Sequence, residues 1–457
     1  LSVSDVFVYT NGLARVSVSG NPNLSNIRVI MVGVRNPIKT RTAGPDDGIP
    51  KSGEVWFNEL RLSDFIENSG WAANAHLQAR LADLGTVDLV GQTSTPGWGS
   101  IEKKVNERSI EYTKNFDLSS TVEMGKFFPE KAAVRFPVYV GMSETRIQPQ
   151  YNQLDPDIPL KQALDAAKNK TARDSIRSIS EDLMQRKTLT ISNAGITARG
   201  EKPRPWDIAN LSVNYTYNEV YKSNTKTEIN LEKNYRGGLN YNYEAQPANI
   251  MPLKNVRFLN PAAFRLIKDF NFYPFPKSLA FRTELSRYYN EIKTRNINNP
   301  HLRVTPSFRK DFEWYRMYDV KYDITRQLKF DFTANNISRT DEPLGGVDRR
   351  RYSTLYENWK DSVLTNLRNG GRNTDYNHFI NVQYNIPVNK LPLLSWLNAN
   401  ARYGADYNWL AGPVFPDSLN IKMGNTIKNH NEATITGMAN LSTLYGKSKF
   451  LKRIEND

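Results

Sequence analysis

The chain has 457 residues, 39% of them hydrophobic, no cysteine, and a formal charge of +14. No run approaches the roughly 18 to 20 apolar residues of a membrane helix, and without cysteine neither a disulfide framework nor a thiolate metal site is possible. These facts exclude a helical membrane protein but not a membrane β-barrel, whose strands show lipid only at every second residue.

With 23 Tyr, 20 Phe and 8 Trp, the chain is too aromatic for a disordered polar polymer. Its positive charge suits nucleic acid, anionic lipid headgroups or a channel interior, and does not choose among them. Leu1 is not a start methionine, no signal peptide follows it, and KSKFLKRIEND closes without an aromatic terminal strand. The expectation is an excerpt at both ends.

In chain order, residues 1–64 carry short apolar runs at Val6–Tyr9, Leu13–Val18, Ile27–Val34 and Val55–Leu62. Pro22, Pro37, Pro45, Pro50 and an Asp46–Gly48 turn separate them. This reads as a small β-sandwich-like segment, with its boundary near Asp64 to Trp71. Residues 65–150 read as barrel strands, with candidates at Ala73–Ala79, Val87–Val90, Phe116–Met124 and Val134–Val140.

Residues 151–187 break the pattern. Leu164, Ala167, Ile176, Ile179 and Leu183 stand among charges between Leu160 and Arg186 without Gly or Pro, so one or two exposed helices are expected in a loop insertion. Residues 188–457 return to strands. Further candidates are Leu189–Ala198, Leu279–Leu285 and Leu302–Phe308.

Strict alternation marks Ala209–Tyr217, Ile380–Ile386, Leu397–Asn408 and Ala433–Leu441 over lengths close to the 9 to 11 residues of membrane strands. Two hairpins are expected, one turning at Thr325–Gln327 and one at Arg236–Gly238. A second helical loop is expected at 354–369, within it Thr354–Leu367. About a dozen strands with uneven connections match the turns on one side and loops on the other of an outer-membrane barrel. The fold class is all-β: the partial wall of a large transmembrane antiparallel β-barrel behind a small sandwich-like segment.

Three ordered blocks carry a family resemblance: GEVWFNELRLSDF, then GWAANAHLQARLADLGTVDLVG, then GWGSIEKKVNERS. This succession resembles the SprA/Sov family, the outer-membrane translocon of the type IX secretion system. The stretches GNPNLSNIRVIMVGVRNP and NLRNGGRNTDYNHFINVQYNIPVNKLPLLSW are also similar to it. Glu54, Trp56, Asn58, Glu59, Leu60, Arg61, Gly70, Trp71 and Asn74 carry the motif positions.

The resemblance implies a wide outer-membrane barrel in a Bacteroidetes-type bacterium, exporting folded proteins to the cell surface and serving gliding motility. The implied partners are exported protein cargo, other subunits of the machinery, the remainder of the barrel, and outer-membrane lipid. It implies no enzyme activity, cofactor, metal or nucleic acid.

Read from the residues alone, Asn58 and Glu59 close a strand end, with Val55, Phe57 and Leu60 on a sandwich core, before they read as a binding site, and Trp71 reads as an interfacial anchor before a recognition residue. His76, His301, His378 and His430 stand in no ligand spacing. Asp155 and Asp157, like Asp46 and Asp47, read as turns rather than calcium ligands. Arg349–Arg351 reads as a solvated loop before it reads as a phosphate site. The alternatives are another barrel transporter or porin, a secreted adhesin, and a nucleic-acid binder. The last would need clustered basic and aromatic residues.

Overall fold

The computed structural model describes residues 6–12, 14–19, 27, 29–34, 49–59, 61, 69–104, 107–197, 204–297, 302–414 and 423–447. A two-stranded hairpin comes first, β1 (Val6–Asn11) with β2 (Ala14–Ser19). Of the sandwich expected over residues 1–64, the described residues show this hairpin. The segment around Val55 and Phe57 forms no strand and is exposed instead of packed on a core. Pro22, Pro37, Pro45 and Asp46–Gly48 lie outside the described residues, as do Leu60 and His301.

The remaining strands build one 14-stranded antiparallel sheet. In order they are β3 (Ala72–Leu81), β4 (Gly85–Ser94), β5 (Glu111–Glu123), β6 (Val134–Arg135), β7 (Pro137–Pro149) and β8 (Asp182–Ile196). Next come β9 (Leu211–Ser223), β10 (Thr227–Glu244), β11 (Ser278–Thr294) and β12 (Ser307–Asp323). β13 (Leu328–Arg339), β14 (Arg372–Ile386), β15 (Leu397–Leu410) and β16 (Thr426–Ala439) complete it.

Each long strand pairs with its sequence neighbours, and the short β6 pairs with β8 beside β7. β3 and β16 are the two edges. The all-β expectation holds, as an open meander.

Among the described residues the α-helices lie outside the strands: α1 (Leu160–Asp165), α2 (Lys170–Ser180), α3 (Arg265–Lys268) and α4 (Ser353–Arg368) in connections, and α5 (Leu441–Tyr445) after β16. The helix expected to run on to Arg186 ends at Ser180. The Asn169 side chain caps α2 through the Ala172 amide at 2.8 Å. From Asp182 the chain is strand, because Leu183 takes up the period-two face.

The expected hairpin at Arg236–Gly238 is absent. β10 runs straight through it, with Gly237 opposite Tyr215 and Leu285, and Gly238 opposite Asn214 and Glu284. Leu231, Tyr235, Leu239 and Tyr243 keep one parity across the glycines, so no turn interrupts them. The turn lies earlier, at Asn224, whose side chain accepts from the Lys226 and Thr227 amides. The hairpin at Thr325–Gln327 forms as expected, with Thr325 Oγ1 accepting from the Leu328 amide at 2.9 Å.

Long and short connections occur at both ends of the sheet, not short at one and long at the other. The end that carries the Asn224 turn also carries 150–181 and 340–371, whereas the opposite end carries both 82–84 and 245–277.

Candidate functional site: a two-faced sheet with a covered strip

Antiparallel register puts directly paired residues on the same face, so the pairings define two surfaces. One is apolar. Leu77, Leu89, Leu118 and Met142 stand level across β3 to β7, and Tyr243, Leu279, Val320, Phe332, Ile380 and Ala405 across β10 to β15. Aromatic pairs reinforce it, with ring centroids 5.0 Å apart for Phe281 and Tyr318 and 5.2 Å for the stacked His378 and Tyr407.

The other face is polar. Asn74, Gln92, Asn115 and Thr145 stand level, as do Asn335, Asn377, Asn408 and Lys428. Amides link across strands, Asn115 to Gln92 at 3.2 Å and Asn335 to Asn377 at 3.0 Å. Arg402 donates to Asn381, which donates to Asp331. Such a surface hydrogen-bonds water and offers no continuous apolar patch.

On the apolar face, a strip near one end is charged instead and is covered by α4. Glu291 on β11 is fully buried. Arg351, in the connection ahead of α4, grips it with two bonds of 2.6 and 2.8 Å, and the Tyr289 and Tyr352 hydroxyls each donate to it at 3.0 Å. A second pair runs the opposite way. Arg287 of β11 donates to Glu342 of the connection at 2.7 and 2.8 Å.

Glu342 also accepts from Trp359 Nε1 at 2.6 Å, and the Arg287 guanidinium lies 4.8 Å from the Trp359 ring. Lys310 donates to the Pro343 carbonyl at 2.7 Å. Crossed bidentate pairs are strong and geometrically exact about position, so they fix the arm on the sheet. The run Arg349–Arg351 is therefore not a uniformly solvated loop. Its third member is an anchor whose guanidinium is turned onto the buried carboxylate of Glu291 while a third of the side chain stays exposed.

The α1–α2 connection covers a similar strip. Glu181 lies 3.5 Å from Arg146 and 3.3 Å from Arg177, Ser180 donates to Asn152, and Arg295 reaches the Ser178 carbonyl at 3.1 Å. Burial pushes the Glu181 carboxyl above its ordinary range despite both arginines. In the α4 arm, hydrogen bonds from Arg372 hold the Asp341 carboxyl below its ordinary range.

The motif positions do not converge on one site. Glu54, Trp56, Asn58 and Glu59 lie along an exposed stretch that forms no strand, with Trp56 at 87% exposure, and Arg61 pairs locally with Glu59. Gly70 and Trp71 form the entry to β3. A Cβ on Gly70 would run into the backbone of Pro96, Gly97 and Trp98. The Trp71 amide donates to Thr95 Oγ1 at 2.9 Å, while its exposed ring stands at the strand end.

Asn74 belongs to the polar face. Asp155 sits in a turn closed by backbone bonds from Asn152 to Ile158. Among the described residues no group of His, Asp and Glu could hold a metal ion. The covered strip was missed by sequence reasoning. Its signal was the intrusion of Arg287, Glu291 and Lys310 into the apolar parity of β11 and β12.

Fold and site together define an all-β protein built as a two-faced wall of antiparallel strands. Residues 5–164 match the SprA_N family model, described as a motility related/secretion protein, and the match supports membership of the SprA/Sov family. The chain is thus a motility- and secretion-related protein of the cell envelope. No curated protein matches it.

Proposed function

We propose that the sheet is part of the outer-membrane wall of a wide protein-export pore, the translocon of type IX secretion. The observation that carries this reading is the two-faced sheet, with an apolar face for lipid and an amide-rich face for water on strands of 10 to 18 residues. Every one of these strands thus reaches or exceeds the roughly 9 to 11 residues a tilted membrane strand needs. Export of a folded cargo calls for diameter and a hydrated lining rather than reacting groups, so catalysis has no part in the reading.

The apolar face meets outer-membrane lipid, the polar face lines the channel, and the rest of the barrel pairs with β3 and β16. The test is made in the full-length protein in cells, with single cysteines placed within residues 1–457, which have none, on a background in which any other cysteine is replaced. A bulky water-soluble maleimide is expected to label positions 377 and 408 on the polar face, with labelling slowed while cargo is in transit. It is expected to spare positions 332 and 380 on the apolar face. Equal labelling of both faces, or recovery of the protein in a carbonate-soluble fraction, overturns the reading.

A further inference from the structure

Followed strand by strand, the place where the apolar face turns polar does not stay level. On β8, β9 and β10 the first charged residues are Lys187, Glu219 and Lys233, level with one another. Lys187 is also level with Met142, so on β7 the change waits until Glu144, two residues further on. On β5 it waits until Lys114, level with Arg146. β3 and β4 carry no charge on this face along their whole length.

Toward the other edge the change comes earlier. Lys233 is level with Tyr289 and Lys310, but on β12 the first charge is Arg316, which is level with Asn336 of β13. β13 to β16 carry no charge on this face, and there the change is to amides: Asn336 on β13 and, on β16, Asn431, which is level with Ala405, Ile380 and Phe332. Tyr376, Tyr407 and Trp409 mark its course over β14 and β15, as aromatic side chains do at a membrane interface.

Between β5 and β16 this line drops about 14 residues over ten strand steps. At a rise of ~3.3 Å per residue and a spacing of ~4.8 Å per strand, that is a slope of roughly 45°. Strands of outer-membrane barrels tilt by about 35–45°. A flat bilayer surface crossing tilted strands draws such a line; a patch of charges placed for local pairing has no reason to.

The arms agree with it. Arg287, Tyr289, Glu291 and Lys310, which the α4 arm grips or covers on this face, lie on or beyond the line. So do Glu144 and Arg146 beneath the α1–α2 connection.

We infer that the hydrocarbon border at this end runs obliquely through Lys114, Glu144, Lys187, Lys233, Arg316 and Asn431, and that the α4 arm stands outside it in the lipid headgroup layer. This rests on the wall reading above, and adds the depth of each strand and the tilt of the sheet.

The test compares residues that are level in the sheet but on opposite sides of the line. Phe116 is level with Tyr221, and Tyr241 with Asn429. Spin labels at these four positions, one at a time in the full-length protein in liposomes, are read by collision with oxygen and with a nickel chelate. Positions 116 and 241 are expected to favour oxygen, and 221 and 429 the nickel chelate, with at least a several-fold difference in their ratio within each pair.

Labels at Leu118 and Leu239 repeat the lipid arm should either aromatic replacement disturb folding. A label at Leu364 of α4 is expected to meet the nickel chelate. Level residues with the same ratio would overturn the oblique border while leaving the wall intact. Absence of oxygen preference at every position would overturn the wall reading itself.

Discussion

At the scale of single residues, the strongest dependence is on Glu291. A carboxylate with no solvent exposure is held by Arg351 and two tyrosine hydroxyls, and removing one partner of a buried pair costs about 3–5 kcal/mol because the other charge is left uncompensated. Arg351→Ala is therefore expected to release the arm of residues 340–371, seen as trypsin cleavage at Arg349 or Arg350 that the parent protein resists. Replacement of the exposed Arg349 should leave the arm protected.

Gly70 presents a different case. Its backbone lies against Pro96, Gly97 and Trp98, so Gly70→Ala forces these segments apart. Overpacking of this kind typically costs about 1–3 kcal/mol. Faster amide exchange at Thr95 and Trp98 would report the change, and unchanged exchange would argue against close contact. The motif glycine is thus explained by packing.

Two carboxyls give the arms opposite responses to acid. Asp341, depressed by Arg372 below its ordinary 3.8, supports its arm above that value and loses the contribution as pH falls through the lower folded value. Glu181, raised by burial above its ordinary 4.5, favours the folded arm fully below 4.5 and loses that contribution as pH rises through the raised value. Hydrogen exchange corrected for its intrinsic pH dependence should therefore show the α1–α2 arm tightening on acidification, with Glu181→Gln abolishing the response. Asp341→Asn should loosen the α4 arm at neutral pH.

At the scale of elements, strands with unbroken parity were legible in the sequence. Leu397–Asn408 lies inside β15 and Ile380–Ile386 inside β14. The helical pattern at Thr354–Leu367 is α4 to within a residue at each end. What misled was local chemistry taken without its neighbours.

Gly237 and Gly238 resemble a turn, yet they are strand residues lying between large side chains on both adjacent strands. β12 was seen only at its two ends because Lys310 and Arg316 interrupt its apolar face. That interruption makes sense once the strand is known to leave the apolar zone early. The covered strip was illegible for the same reason: Glu291 and Arg351 meet across a long connection, and no local period announces such a pair.

At the scale of the whole molecule, the sheet has two unpaired edges, and β16 is exposed along its entire length. In hydrocarbon, unpaired backbone amides and carbonyls each cost several kcal/mol. Residues 1–457 expressed alone are therefore not expected to insert as a monomer. A heat-modifiable monomeric barrel recovered from liposomes would contradict the edge argument, whereas insertion only after addition of the flanking segments would support it.

The meander also sets how such a wall tolerates revision. Since each long strand touches only the strands before and after it in sequence, no segment has to thread past another, and the sheet is assembled from serially addable hairpins. Loss of an adjacent pair such as β14 and β15 would bring β13 beside β16 with their directions still antiparallel. The perimeter would shrink by two strand widths, or about 10 Å, with no rewiring elsewhere. Pore bore in such a protein is then a matter of hairpin number, open to gradual change by duplication and deletion, while the side-chain pattern on each strand keeps lipid and water on their own sides.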